Sequence, residues 1–215
     1  MITTSTPAEQ RTVLRNISWG TFETLLKETG EDRGSRFAYD CGTLEIMTPL
    51  FEHKNPKIQF DRLIFALAEE AEIEIKSAGS TTLKRRIVNR GIEPDNCYYI
   101  QNEAVVRSNQ TLDLAIDPPP DLAIEIDITS SSVNKFGIYA ALGVNELWRY
   151  NGQDLKFYRL EQDKYTECEF SIAFPLVSVT EISSFIQQSK TMGEIALLKS
   201  FRALVRDKIV SLSGD

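Results

Sequence analysis

From Asp121 to Thr129 apolar and polar positions alternate without a break. Leu122, Ile124, Ile126 and Ile128 fall on one side, and Asp121, Ala123, Glu125, Asp127 and Thr129 on the other. Strand side chains repeat every two residues, so this stretch predicts a β-strand with one buried face. The second face carries three carboxylates, which repel one another unless water, cations or a metal ion compensates them. A solvated strand face and half of a metal site are the two readings that the alternation leaves open.

Helical periodicity lies on both sides. Phe60, Leu63, Ile64, Leu67 and Ala71 make an apolar stripe that predicts a helix over about 56–71, with Asp61, Glu69, Glu70 and Glu72 on its wet side. Ser18 is placed to cap a short helix that runs to about Lys27 and stops at Gly30. Ser130-Ser131-Ser132 predicts the start of another, ended by Gly143 after Leu142. Further helices are expected at 181–187 and 192–209. Strands are expected at 36–40 and 43–47 around the Asp40-Cys41-Gly42 turn, and at 74–77, 81–86 and 95–100. Two more, 146–150 and 155–160, flank the hairpin signal Asn151-Gly152, and another follows at 165–170. Residues 1–15 show no period and predict a loosely ordered N-terminus ahead of a single domain over 16–215. Strands flanked by helices, with a strand–helix–strand crossover from Asp121 to Tyr150, predict an α/β (α+β) fold built on a mixed central sheet. Trp19 and Trp148 are assigned to packing, and only one of Tyr98 and Tyr99, which alternate faces, to the core.

Composition narrows the function classes. The 215 residues carry 24 Lys and Arg against 31 Asp and Glu, a net charge of -7, whereas chains that bind nucleic acid through its phosphates usually carry a basic surplus. Contact with nucleic acid is therefore expected to be local, through Lys84-Arg85-Arg86 and Arg90, or mediated by metal ions. Lys84 and Arg86 share a strand face that serves either such contacts or an exposed edge. The apolar runs are far shorter than a membrane span. The first ten residues lack the apolar stretch of a secretory signal, and Cys41, Cys97 and Cys168 stand in no metal-binding spacing; a cytoplasmic protein with reduced thiols is expected. His53 is the single histidine and precedes no serine or cysteine elbow, which argues against a nucleophilic triad.

The chemistry concentrates in acids. Glu125 and Asp127 are two positions apart, about 7 Å at the usual strand rise, and Pro94-Asp95 opens another strand thirty residues earlier. Hard oxygen donors on neighbouring strands suit magnesium or manganese, and such sites hydrolyse phosphodiesters. These residues, with Gly42-Thr-Leu-Glu-Ile-Met-Thr-Pro49, Gly79-Ser-Thr-Thr-Leu-Lys84, Gly91-Ile-Glu-Pro-Asp95, Pro120-Asp-Leu-Ala-Ile-Glu-Ile126 and Ile138-Tyr-Ala-Ala-Leu-Gly-Val-Asn-Glu-Leu-Trp148, carry a resemblance to a known group. The chain resembles the PD-(D/E)XK nuclease superfamily and, within it, the Uma family of bacterial restriction-endonuclease-like proteins, over about residues 36–180.

The resemblance implies a restriction-endonuclease-like fold and a magnesium- or manganese-dependent endonuclease that hydrolyses DNA. Asp95 matches the first acidic ligand and Glu125 the second. Glu52, ahead of the first long helix, matches the acidic residue that this helix often contributes. Asp127 departs from the pattern: it stands where the superfamily's lysine would be, and is expected either as a further ligand or as a neighbour of the ligands. Lys135, one turn into the following helix, is the basic residue expected to take that lysine's part. A catalytically degenerate member of the same fold, acting as a nucleic-acid-binding or regulatory module, is the second reading, because Asp127 and the acidic balance favour it. Exposed sheet edges make a homodimer the expected assembly.

Overall fold

The computed structural model describes residues 9–49, 51–128 and 130–213, with the side chains of residues 9, 51–54 and 213 outside the described set. In chain order the strands are β1 (Glu9–Leu14), β2 (Arg36–Asp40), β3 (Thr43–Pro49), β4 (Lys76–Ser77), β5 (Leu83–Arg85), β6 (Arg90–Ile92), β7 (Asn96–Tyr99), β8 (Leu122–Ile126), β9 (Glu146–Tyr150), β10 (Leu155–Glu161) and β11 (Lys164–Cys168). The helices are α1 (Trp19–Thr29), α2 (Phe51–Glu70), the single turn α3 (Glu103–Val106), α4 (Lys135–Leu142), α5 (Val179–Gln188) and α6 (Glu194–Ser213). The mixed α/β architecture read from the sequence is present, and it contains a second sheet that the sequence did not announce.

The larger sheet runs β11-β10-β9-β8-β7-β4. Its β8 and β9 are parallel, in register from Leu122↔Glu146 to Ile126↔Tyr150, and α4 is the crossover between them. Its other pairings are antiparallel. The acid-bearing strand is thus central, and all five residues of β8 are buried. A solvated edge strand is excluded. The smaller sheet, β1-β3-β2-β6-β5, is antiparallel throughout.

Three apolar clusters hold the layers. Leu122, Ile124 and Ile126 pack with Tyr98, Trp148 and Phe157 against Phe60, Leu63, Ile64 and Leu67 of α2 and against α5 and α6. The opposite face of β8, at Ala123, packs with Leu147 under Ile138, Tyr139 and Leu142 of α4, and reaches Ala38, Leu83 and Ile92 of the smaller sheet. Phe22 of α1 stacks on Tyr39 at 4.7 Å between centroids in the third. Because the larger sheet is covered on both faces, Tyr98 and Tyr99 are both fully buried, which corrects the expectation of one. The phenol of Tyr99 donates to the Pro118 carbonyl (3.1 Å), so neither face leaves a polar tip unsatisfied.

Local signals explain most boundaries. The Ser18 hydroxyl accepts from the Thr21 amide at the start of α1, and Gly30, at φ 70°, ends it. Several boundaries differ from the expectation: α2 starts at Phe51 rather than near 56, β6 forms where no strand is expected, and the strand expected over 81–86 ends at Arg85, so Arg86, first residue of a 3-10 turn, does not share a strand face with Lys84. Residues 9–14 are not loose: they pair with β3 from Glu9↔Pro49 to Leu14↔Leu44, an order supplied by the partner strand rather than by any period of their own. The helix after β8 starts at Lys135 with Asn134 as its cap, while Ser131 and Ser132 are turned to another task described below.

Gly91 in β6 is where this packing leaves least room. A Cβ there would lie 2.9 Å from two ring atoms of Phe22 and 3.1 Å from the Lys84 Cβ. Gly91→Ala should cost about 1–3 kcal/mol by overpacking, read as a lower urea midpoint with an unchanged slope.

Candidate active site

The acidic face of β8 lies under α4, not under water. Lys135, Ile138, Tyr139 and Leu142 are the buried residues of α4, and their spacing of three, four and seven puts them on one side of the helix. Lys135 and Tyr139 are consecutive on that side. The ammonium of Lys135 donates to Glu125 Oε2 at 2.5 Å and to Asp127 Oδ1 at 2.6 Å. Tyr139 donates its hydroxyl to the other Glu125 oxygen, Oε1. Glu125, Asp127 and Lys135 are 1%, 8% and 6% exposed, so these contacts act in a medium where charge is weakly screened.

Asp95 joins from the neighbouring strand. Its amide donates to the Ile124 carbonyl (3.1 Å), extending the β7–β8 ladder by one residue toward Glu125. Its Oδ2 accepts from the Ile126 amide at 2.8 Å. Asp127 carries more cations than Lys135 alone: Arg149 from β9 reaches Oδ2 through Nη2 (2.8 Å) and Nε (3.2 Å), and Arg11 from β1 stands 3.5 Å from Oδ1. Arg149 also covers the Phe136 ring at 4.6 Å and is the most open of these groups, with 30% of its side chain exposed. Arg11 in turn pairs with Glu45 of β3, which accepts from the Ser131 hydroxyl (3.0 Å) and the Ser132 amide (2.5 Å). Those two serines therefore tie the start of the crossover to the smaller sheet.

Burial pushes the Glu125 carboxyl up to about 7; Asp127 and Asp95 add to the rise and Lys135 opposes it. Asp127 moves the other way. Burial works against its charge too, but Lys135 and Arg149 outweigh burial and hold it at about 2. The Lys135 pKa is raised: burial disfavours the ammonium, and Glu125, Asp127 and Asp95 overcome that. Tyr139 is raised well above its ordinary value by burial and by Glu125, so it stays a phenol and a donor. Of the described side chains, the carboxylates Asp95, Glu125, Asp127 and Glu45 are gathered with the cations Arg11, Lys135 and Arg149, and the Lys57 ammonium acts on Asp95 as well. With its carboxyl near 7, Glu125 exchanges a proton around neutral pH.

Among the described residues no three acidic, histidine or cysteine side chains are arranged to share one ion. Two carboxylates with the balance as water is nevertheless an ordinary magnesium set, and Asp95 and Glu125 supply hard oxygens from neighbouring stretches of the larger sheet. The pair fits such an ion.

The sequence-predicted residues thus divide. Asp95, Glu125, Asp127 and Lys135 come together, and Lys135 swings back to β8 as its position on α4 suggested. The Glu52 and His53 side chains lie outside the described residues. Asp121, first carboxylate of the alternating stretch, is elsewhere: it accepts from the amides of Ile100 (2.6 Å) and Asn102 (3.0 Å) and from the Asn102 side chain (2.7 Å), holding the turn after β7. Most of the basic run is absorbed locally, with Lys84 paired to Glu23 (2.7 Å), Arg85 donating to the Leu114 carbonyl (3.0 Å) and Arg90 paired to Asp40 (2.8 Å), while Arg86 is exposed. Tyr139, Arg149, Arg11 and Glu45 were missed. Tyr139 was recoverable from the four-residue spacing to Lys135; the other three depend on strand pairings that no local signal fixes.

Comparison with known proteins bears on the family and the fold. A crystal structure described as a putative nuclease belonging to DUF820 from Anabaena variabilis ATCC 29413 matches with a TM-score of 0.51 at 16% identity, covering 70% of this chain and 90% of that one. At that identity the likeness is one of fold. No curated protein matches the chain. The sequence profile of the Uma2 family, described as a putative restriction endonuclease, matches residues 19–189, which include every strand from β2 to β11 and each of Asp95, Glu125, Asp127 and Lys135. The chain belongs to the Uma2 family of restriction-endonuclease-like proteins.

Proposed function

We propose that the chain is a metal-dependent endonuclease that hydrolyses DNA phosphodiester bonds, with Asp95, Glu125 and Lys135 as its working residues and magnesium or manganese as its ion. The observation that carries this reading is the position of the Lys135 ammonium. It arrives from a helix rather than from β8, yet ends against Glu125 and beside Asp95. Asp95 and Glu125 are the residues suited to hold the ion, which when bound supplies Lewis-acid polarisation of the phosphate and a water of lowered pKa. Lys135 stays protonated, so its role is to orient that water by hydrogen bonding and to offset charge that develops on phosphorus. Tyr139 fixes the Glu125 carboxylate. Asp127 is the anchor that holds Lys135 in place, since both its oxygens are already engaged by cations.

The described residues gather one such site, and two copies paired as a homodimer would let both strands of a duplex be cut in one encounter, which is the working form we favour. The three cysteines are unpaired, in keeping with a reducing cytoplasm, and no described helix is long and apolar enough to cross a membrane. In a nicking assay, supercoiled plasmid with manganese should be converted by the natural chain and not by Asp95→Ala. Equal conversion by both forms sinks the assignment. The ion pairs that close around Lys135 favour one competitor, a non-catalytic binding module. Calorimetry separates the two, because a module with a closed site takes up no manganese in an Asp95-dependent way.

A further inference from the structure

Asp95 has a second polar neighbourhood, on the side of the Gly79–Thr82 loop. The Ser80 hydroxyl donates to the Asp95 carbonyl at 3.0 Å and meets the Lys57 ammonium at 2.8 Å. Beside Ser80 lies a cavity of about 280 Å³ whose polar lining is Glu31, Arg33, Ser35, Arg36, Ser80, Thr81, Thr82 and Glu93. Arg33 and Arg36 belong to that lining and Lys57 reaches it through Ser80; burial and then Arg36 lower the pKa of both Arg33 and Lys57. Of the two lining carboxylates Glu31 is exposed and Glu93 is committed. Glu93 accepts from Arg33, from the Thr82 hydroxyl (2.6 Å) and from the Phe37 amide (2.8 Å). Among the described residues no carboxylate lies within ion-pair distance of Arg36 or Lys57. Arg36 makes a long bond to the Ser35 carbonyl (3.4 Å), and its Nε, like that of Arg33, is buried without an acceptor.

Crowded, part-buried cations with vacant donors are costly unless an anion completes them. The hollow offers what a tetrahedral phosphate needs: guanidinium donors in a planar fork and room for the group, with the Thr81 hydroxyl in its lining while those of Ser80 and Thr82 are spent on the Asp95 carbonyl and on Glu93. We infer that this hollow is a phosphate-binding subsite, which takes a backbone phosphate of the nucleic-acid strand next to the one presented to Asp95. The inference rests on the endonuclease reading for the identity of the strand, and on the cation cluster alone for the phosphate. It also answers the acidity of the chain, because the local positive charge is supplied by residues that the basic run at 84–86 does not include.

The test is made without divalent metal, so that binding is read apart from cleavage. Anisotropy of a fluorescent DNA duplex is followed against salt for the natural chain, Arg36→Gln and Lys57→Met, each checked for folding by its melting curve. Arg36→Lys, which keeps the charge and loses the fork, stands in should Arg36→Gln not fold. Arg36→Gln and Lys57→Met should each bind about tenfold more weakly, with the slope of log affinity on log salt lower by about 1, whereas Arg36→Lys should lose affinity with its slope kept. In parallel, inorganic phosphate at constant ionic strength should raise the melting temperature of the natural chain and not of Arg36→Gln. Unchanged slopes in both variants overturn the subsite. A phosphate effect without duplex binding overturns its assignment to nucleic acid. Loss of the salt slope in variants of a chain that never cuts plasmid removes the endonuclease reading and leaves the subsite standing.

Discussion

Lys135→Met is expected to end cleavage and to cost about 3–5 kcal/mol of stability, the range for breaking a buried ion pair by removing one partner. The ammonium serves two buried carboxylates at once, so its loss leaves Glu125 and Asp127 facing each other from one strand face. The size of the loss should depend on pH, and the direction follows from Glu125. Burial already holds its carboxyl near 7 while Lys135 pulls it down; without Lys135 it rises further and takes up a proton at neutral pH. Urea unfolding should therefore show a smaller deficit at pH 6, where Glu125 is neutral with or without Lys135, than at pH 8, where the natural chain has released that proton and the variant must hold it or bury a second charge beside Asp127. Lys135→Arg should recover much of the stability but little of the cleavage, because a guanidinium keeps the charge and cannot reproduce a single ammonium placed between two oxygens. Retained cleavage in Lys135→Met at the natural rate removes Lys135 from the chemistry.

How far this site was legible in the sequence depends on which contacts are local. The alternation in β8 and the three-and-four spacing of α2 follow from one element's own geometry, and both are found where the pattern puts them. Lys135 was within reach for the same reason, since a helix that returns from β8 to the parallel β9 must lay its first turn over β8. One error and one open choice share a cause. The second of Tyr98 and Tyr99 is expected outside the core, and the acidic face of β8 is left between a solvated face and half of a metal site, because a period of two says which residues share a face and not what covers it. Here α4 and the smaller sheet cover it. Glu45 sat inside a stretch already marked by resemblance, and Arg11 inside one set aside as loose. Their pairing, and with it the contact of Arg11 to Asp127, exists only because β1 adds to the edge of β3. Long-range strand addition of that kind leaves no trace in a local pattern.

Manganese affinity should rise about tenfold per pH unit up to about 7 and level off above it, because an ion on Asp95 and Glu125 must displace the proton that Glu125 holds. The same proton sets a stability slope. Between the ordinary carboxylate range and about 7, folded Glu125 keeps a proton that the unfolded chain has released, so stability falls as pH rises through that window. Asp127 contributes with the opposite sign: its stabilisation is whole above the ordinary carboxylate range and is lost as pH falls toward about 2. Asp127→Asn then distinguishes an anchor from a ligand. Removing its charge takes away one of the influences that raise Glu125 and leaves Lys135 to Glu125 alone, and both changes lower the Glu125 pKa. Titration calorimetry across pH should accordingly show the midpoint of manganese uptake moved to lower pH, with the high-pH plateau within a few-fold of the natural chain. A plateau that falls tenfold or more with an unmoved midpoint makes Asp127 a ligand instead. In that outcome the oxygen engaged by Lys135 in the present arrangement has to be released to the ion, and the lysine's anchor passes to Glu125 alone.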